Sequence, residues 1–402
     1  MSTRQKQKPR RPREQRPPRQ GTVDIPKIYG THYEGVLRPI VFVPGILGSE
    51  IHMKNGSRAL WPPYYTDGTG HAQYLRNIKQ LYQQPAKNKK AVGPFPAVYG
   101  LLLEHLKSLR GAINFHPFWY DWTQSNAKSG SDLARHIADV LALPRYQGKF
   151  TQVDLVCHSM GGIVTRAAAR NAKTAASIRR TAYIASPHYG APKAYFALHP
   201  DVPIRLFESS VTRLLGEIAW DFVVKGSDDE DDIDEAIHDL AAHMDSVYEL
   251  LADRFYFQKG GYILTDERPA QNVPIRGMEE TYYHNDWRFP PGQAARVRRA
   301  IAFKDSLGDT LPGDPSQILV IYSHSDPTQD SVNYDHVPPL YEFEAPYASA
   351  PANGDGTVPR HSASLANASG YQVFPVSGEH VALVHHVPVK QKLTEFLQKE
   401  PE

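Results

Sequence analysis

A single cysteine, Cys157, among 402 residues excludes any disulfide within the chain, and such scarcity fits a reducing compartment. No stretch approaches the roughly 18 consecutive apolar residues of a membrane span. No apolar signal core follows the N-terminal charges, so a secretory leader is not expected either. These absences lead us to expect a soluble, cytoplasmic protein. The acidic run Ser227-Asp-Asp-Glu-Asp-Asp232 lacks the spaced ligands of an EF-hand and reads as a solvated helix start, so neither a metal nor a cofactor is expected. Repeats at solenoid periods are also missing.

What is present suits a globular chain. Hydrophobic residues make up 41% and charged residues 22%, enough to build a core and to exclude disorder throughout. The net charge of +2 hides an asymmetry, because residues 1–20 carry eight Arg or Lys against the single Glu14, a local charge of +7 that leaves −5 on the rest. That segment has many prolines and almost no apolar side chains, so it reads as a disordered tail spanning residues 1–21. Its charge suits contact with an anionic membrane, while the plainer reading is a solvated extension. A nucleic-acid partner is not expected from a tail alone.

Strand-like and helix-like patterns alternate along the remainder. Buried strands are predicted at 38–43, 115–119, 152–157, 179–185 and 317–323, and helices at 98–110, 131–142 (capped by Ser131), after residue 160, and near 388–399. This βαβ rhythm implies a mostly parallel sheet flanked by helices. Two segments interrupt it. Residues 49–97 are rich in Pro, Gly, Tyr and Trp, and 193–314 includes Ile233, Ile237, Leu240, Met244, Val247 and Leu251 at helical spacing, the mark of a helical cap. The expected organisation is a tail (1–21), a first core part (22–192) with a lid-like insertion (49–97), a cap insertion (193–314) and a second core part (315–402).

Asp154-Leu-Val-Cys-His-Ser-Met-Gly-Gly-Ile163 sets a serine between an apolar β-branched strand and a helix opening on two glycines. This is the pattern of a nucleophile elbow, in which residues two before and two after the serine must be small. Gly161 meets that requirement, and Cys157 departs from the usual glycine while remaining small. A serine hydroxyl needs a base and an orienting carboxylate to attack at neutral pH. In α/β-hydrolases these partners follow the serine in the order acid, then histidine. Asp355, between two glycines in Asn353-Gly-Asp-Gly-Thr-Val-Pro359, and His380, in Ser377-Gly-Glu-His380, match that order. Asp326, after the strand at 317–323, is the rival acid. With 18 histidines present, position alone does not select the base. An oxyanion hole requires two backbone N–H groups. Met160, after the serine, and Ile46, in the turn Val43-Pro-Gly-Ile-Leu-Gly-Ser49, are the candidates.

Six blocks, Phe42-Val-Pro-Gly-Ile-Leu-Gly-Ser-Glu50, Leu60-Trp-Pro62, Tyr120-Asp-Trp122, His158-Ser-Met-Gly-Gly162, Ser186-Pro-His-Tyr-Gly-Ala-Pro192 and Gly354-Asp-Gly-Thr-Val-Pro359, together resemble the lecithin:cholesterol acyltransferase family. That family includes phospholipid:diacylglycerol acyltransferases and related phospholipases. The blocks fall in the family's order over about 38–62, 116–192 and 317–388 of this chain. The resemblance implies an α/β-hydrolase fold with a helical cap or lid, Ser159, Asp355 and His380 as the triad, and Ile46 and Met160 as oxyanion donors. It also implies lipid-contacting or lid elements after Ser49, where Trp61, Tyr64 and Tyr65 lie. Leu47, Trp61 and Tyr189 are accordingly candidate substrate contacts. The disulfide that ties the lid loop of secreted animal members cannot form here. A lipase or esterase is expected, with acyl transfer to an alcohol and a catalytically silent binding protein as the alternatives.

Overall fold

IVFV, VDLVCH and ILVIYS are buried at every position, as strands covered on both faces must be. The computed structural model describes residues 35–56, 59–62, 70–198, 230–259, 264–265, 292–328, 333–334, 352–365 and 370–398. From the N-terminal side come β1 (Ile40–Val43), β2 (Ser49–Met53), β3 (Ala59–Trp61), α1 (Gly70–Gln83), β4 (Lys89–Pro94), α2 (Pro96–Arg110) and β5 (Phe115–Pro117). Then follow α3 (Asn126–Leu141), β6 (Val153–His158), α4 (Gly161–Ala169), β7 (Ile178–Ile184), α5 (Glu230–His243), α6 (Asp245–Tyr248) and α7 (Gln293–Leu307). The chain continues through β8 (Ile318–Ser323), β9 (Asp326–Thr328), β10 (Ala352–Gly354), β11 (Gln372–Val376) and α8 (Val387–Gln398). The expected tail, Tyr64, Tyr65 and much of 193–314, including the start of the acidic run, lie outside the described residues.

Six strands form one sheet in the order β11-β8-β7-β6-β1-β5, and every neighbouring pair is parallel. Side chains alternate across its faces. Val41, Val43, Leu155 and Cys157 join the core under α3 and α4, where Leu133, Ile137, Val140 and Val164 close over them. Ile40, Phe42 and Val156 join the opposite core, with Leu102, Leu106 and Leu109 of α2 and Leu393, Phe396 and Leu397 of α8. The parallel sheet flanked by helices is as the sequence implies. Among the described residues no helix is long and apolar enough to cross a membrane.

Three local expectations change. The α3 helix begins at Asn126, not Ser131. Its cap is Ser125, whose hydroxyl oxygen accepts from the Ala127 N–H at 3.1 Å, while Ser131 Oγ merely donates back to the Ala127 carbonyl at 3.1 Å within the helix. Glu249, 124 residues away, completes this cap by accepting from Ser125 Oγ (2.7 Å) and the Asn126 N–H (2.5 Å), a long-range partner that local patterning cannot register.

The helical spacing over 233–251 is also interrupted: Met244 takes extended backbone angles (φ −99°, ψ 109°) between α5 and α6. That break lets Ser246 Oγ donate to the Trp122 carbonyl at 2.6 Å and brings Glu249 to α3. Finally, residues 49–97 contain an antiparallel three-stranded sheet, β3-β2-β4, and α1. The two inserted regions meet where Tyr82 of α1 stacks on His243 of α5 (centroids 4.6 Å apart) and donates to Asp239 at 3.3 Å.

Candidate active site

The β6 strand delivers Ser159 into a turn too sharp for ordinary backbone. Ser159 has φ +54°, a left-handed conformation unfavourable for a side-chain-bearing residue. It is held there from both sides: its N–H donates to the Ile184 carbonyl, and its carbonyl accepts from the Gly162 N–H, each at 2.9 Å. Gly161 is required by space, since a Cβ there would lie 2.4 Å from the Val43 carbonyl oxygen and 2.6 Å from that of Pro44. Cys157 fits where glycine is usual because its thiol turns into the sheet, 3.4 Å from the Ala182 carbonyl, fully buried. Burial pushes that thiol's pKa up, which leaves it a packing group rather than a nucleophile.

Ser159, Asp355 and His380 converge although 221 residues separate the serine from the histidine. His380 Nε2 lies 2.9 Å from Ser159 Oγ, and His380 Nδ1 lies 2.7 Å from Asp355 Oδ2. A carboxylate only accepts, so Nδ1 carries the proton toward Asp355 and the neutral ring offers Nε2 as acceptor to the serine hydroxyl. Asp355 and His380 are each 1% exposed, while Ser159 is 8% exposed, so the pair is dry and the hydroxyl faces the cleft. The Asp355 carboxylate is filled on its other oxygen by the N–H groups of Thr357 (2.9 Å) and Val358 (2.6 Å). The His380 N–H also donates to the Asp355 backbone carbonyl at 2.8 Å.

Tertiary contacts hold the acid loop. β9 pairs antiparallel with β10, and Thr328 Oγ1 accepts from the Gly356 N–H at 2.8 Å while donating to the Asp326 carbonyl at 2.9 Å. Lys193 Nζ donates to the Gly356 carbonyl. Burial pulls the Lys193 pKa down to about 8, against the opposing pull of the Asp355 charge. Neither Thr328 nor Lys193 stood out in the sequence; only the fold brings them to residue 356. The rival acid, Asp326, turns Oδ2 to Ser325 Oγ at 2.8 Å and makes no hydrogen bond to His380.

The turn after β1 lies against the serine: a Cβ on Gly45 would meet Ser159 Cβ at 2.8 Å. Three side chains pin this turn. Tyr120 Oη donates to the Pro44 carbonyl (2.9 Å), Tyr99 Oη accepts from the Gly45 N–H (2.9 Å), and Trp61 Nε1 donates to the Leu47 carbonyl (2.9 Å). The N–H groups of Ile46 and Met160 make no hydrogen bond among the described residues. A developing oxyanion requires two such free donors.

A small cleft of about 30 Å³, open to solvent, lies above Ser159, walled by Ile46, Leu47, Trp61, Phe95, Val98 and Val381. Leu47 and Trp61 thus line it, and Trp61 is itself packed edge-on against Phe95 and Trp122. Tyr189 does not reach the cleft. Its ring is buried against Phe255 and its hydroxyl donates to the Asp309 carbonyl at 3.3 Å, so a tyrosine read as a substrate contact is a packing residue. Among the described residues no cluster of three or more His, Cys, Asp or Glu could hold a metal ion.

Residues 34–199 match a family model described as a PGAP1-like alpha/beta domain. No curated protein sequence matches the chain. Among solved structures, the crystal structure of a Tle4–Tli4 complex is similar at 13% identity with a TM-score of 0.52, over 90% of this chain and 98% of that one. The mature form of the Bacillus licheniformis lipase BlEst2 aligns at 14% identity with a TM-score of 0.36, over 89% of this chain and 92% of that one. The first likeness concerns the fold alone. The six-stranded parallel sheet, the flanking helices, the strand-turn-helix at Ser159 and the family-model match are those of the α/β-hydrolase fold.

Proposed function

We propose that the chain is a serine hydrolase of carboxylic esters, acting on lipid or other long-chain esters through Ser159, His380 and Asp355. The observation that carries this reading is the unbroken chain of hydrogen bonds from Ser159 Oγ through His380 to Asp355, at 2.9 and 2.7 Å. Ser159 Oγ attacks the ester carbonyl while His380 Nε2 takes its proton. The Ile46 and Met160 N–H groups bind the oxyanion. His380 returns the proton to the leaving alcohol, an acyl-enzyme remains, and water activated by the same imidazole releases the acid. Asp355 holds the imidazole tautomer and balances its charge during each transfer. The apolar walls of the cleft support an acyl chain as the bound portion.

An alcohol in place of water turns the same machinery into an acyltransferase, the activity suggested by the blocks that resemble lecithin:cholesterol acyltransferases. The +7 charge of residues 1–20 supports delivery to an anionic membrane surface. The test is hydrolysis of p-nitrophenyl esters of increasing chain length by wild type and Ser159→Ala, with an alcohol acceptor present and product acid and ester both quantified. Serine-dependent turnover favouring long chains and yielding mainly free acid fits a lipase. Dominant ester product would reassign it as a transferase, and turnover untouched by Ser159→Ala would end the proposal.

A further inference from the structure

Next to the nucleophile stands His158, 2% exposed, whose role the triad chemistry leaves unassigned. Its Nε2 lies 3.2 Å from the backbone carbonyl of His380, and its Nδ1 lies 2.8 Å from Tyr99 Oη. Tyr99 Oη is in turn 2.9 Å from the Gly45 N–H. Proton positions along this line follow from chemistry. A carbonyl cannot donate, so His158 Nε2 carries the hydrogen. In the neutral ring Nδ1 is then the acceptor, Tyr99 donates to it, and the tyrosine oxygen is left to accept from Gly45.

Burial pulls the His158 pKa well below the ordinary histidine value, and neighbouring His380 and His385 push in the same direction. The His158 and His380 rings are 5.0 Å apart between centroids. A charged His158 would therefore oppose the imidazolium that His380 must become. Burial also raises the Tyr99 pKa, so its hydroxyl keeps its proton.

We propose that His158 and Tyr99 form a positioning relay, resting on the triad reading above, that locks the oxyanion turn at Gly45 and the backbone of His380 to one another across the nucleophile elbow. Three segments distant in sequence meet here: the turn after β1, the first turns of α2, and the loop before α8. His380 is held at both ends of its backbone, its N–H by the Asp355 carbonyl (2.8 Å) and its carbonyl by His158. Rotation of the catalytic histidine about its own chain is thereby blocked. At the other end, Tyr99 anchors the Gly45 N–H, one residue before the Ile46 N–H. Neither His158 nor Tyr99 exchanges a proton with substrate.

The test compares His158→Gln, His158→Asn and Tyr99→Phe with wild type, reading the rate of Ser159 labelling by a fluorophosphonate, the kcat and KM for one ester, and thermal stability. Glutamine keeps an N–H where Nε2 stands; asparagine keeps a polar group only at the Nδ1 position. The expected order is wild type, then His158→Gln within about tenfold, then His158→Asn slowed at least about 100-fold in kcat with KM little changed, the penalty of a misplaced catalytic group. Tyr99→Phe is expected to slow both labelling and kcat by about tenfold or more. Histidine tautomers read by nitrogen-15 NMR in the wild-type chain should show His158 as the neutral Nε2–H form throughout the pH range in which the chain stays folded. Labelling of His158→Asn at the wild-type rate would overturn the relay, as would losses that merely follow thermal stability with no rescue by glutamine. A titrating or Nδ1–H His158 would overturn it independently of activity. If wild type itself fails to label, the triad reading fails, while the tautomer measurement still decides the relay.

Discussion

The two sides of His380 are built differently. On the nucleophile side, Ser159 sits between a fully buried strand and a helix, its positive φ held by the Ile184 carbonyl of β7 and the Gly162 N–H of α4. On the acid side, Asp355 follows a three-residue strand, β10, and its loop is held by one hydroxyl, one lysine and the carboxylate's own bonds to Thr357 and Val358. Geometry imposed by a sheet is spelled out locally, whereas geometry imposed by scattered side chains is not. The elbow should therefore tolerate almost no backbone change, and the acid loop should tolerate more.

The largest effect is chemical. Ser159→Ala should lower ester kcat by about a million-fold, the scale at which removing a triad nucleophile leaves only binding and oxyanion effects, with the folded state retained in a urea melt. Next, Asp355→Asn should cost about 10,000-fold in kcat, because the amide favours the wrong imidazole tautomer. Asp326→Asn should stay within about twofold, and equal losses in the two variants would collapse the distinction between the acid and its rival.

The comparison itself is sharpened by two glycines. Gly161→Ala drives a methyl into the backbone carbonyls of Val43 and Pro44 and should cost on the order of 3 kcal/mol together with most activity. Gly356→Ala meets open space, and only its φ of +80° opposes the change, so about 1–2 kcal/mol is expected. Chemical denaturation of the two variants reads the difference directly. A reversed ranking would mean that the acid loop, not the elbow, is the rigid half.

The smallest effect concerns the contact between α6 and α3. Burial raises the Glu249 pKa from 4.5 to about 7, against hydrogen bonds from Ser125 and Asn126 that lower it. The folded chain therefore holds this proton more tightly than the unfolded chain does, and its contribution to stability falls as pH rises from about 4.5 to about 7, then levels off. Glu249→Gln should flatten that part of the stability curve measured by denaturant midpoints at several pH values. An unchanged slope would show that the carboxyl titrates normally in the fold.

The sequence made the sheet legible because parallel strands buried on both faces read as continuous apolar runs, as in VDLVCH and ILVIYS. The elbow was legible because the turn demands small residues at set spacing. Ser131 reads as a cap in the sequence because the true one, Ser125, is completed by Glu249 from 124 residues away. The break at Met244 was hidden for a related reason: helical spacing of Leu240, Met244, Val247 and Leu251 satisfies one long helix, and only docking onto Trp122 selects a break. Residues 49–97 concealed a sheet because proline and glycine dilute the alternation that marks strands. Tyr189 lay in a motif beside the site without pointing into it, and Tyr99 looked like any aromatic on the apolar face of a helix.

The central claim is that Ser159 is a nucleophile activated by His380 within an open cleft. Reaction of the purified chain with a fluorophosphonate, followed by mass-spectrometric mapping of the adduct, tests it most directly. The expected result is one adduct on Ser159, absent from Ser159→Ala and strongly slowed in His380→Ala. An unlabelled wild type, with and without vesicles or detergent, or an adduct on any other residue, would contradict it.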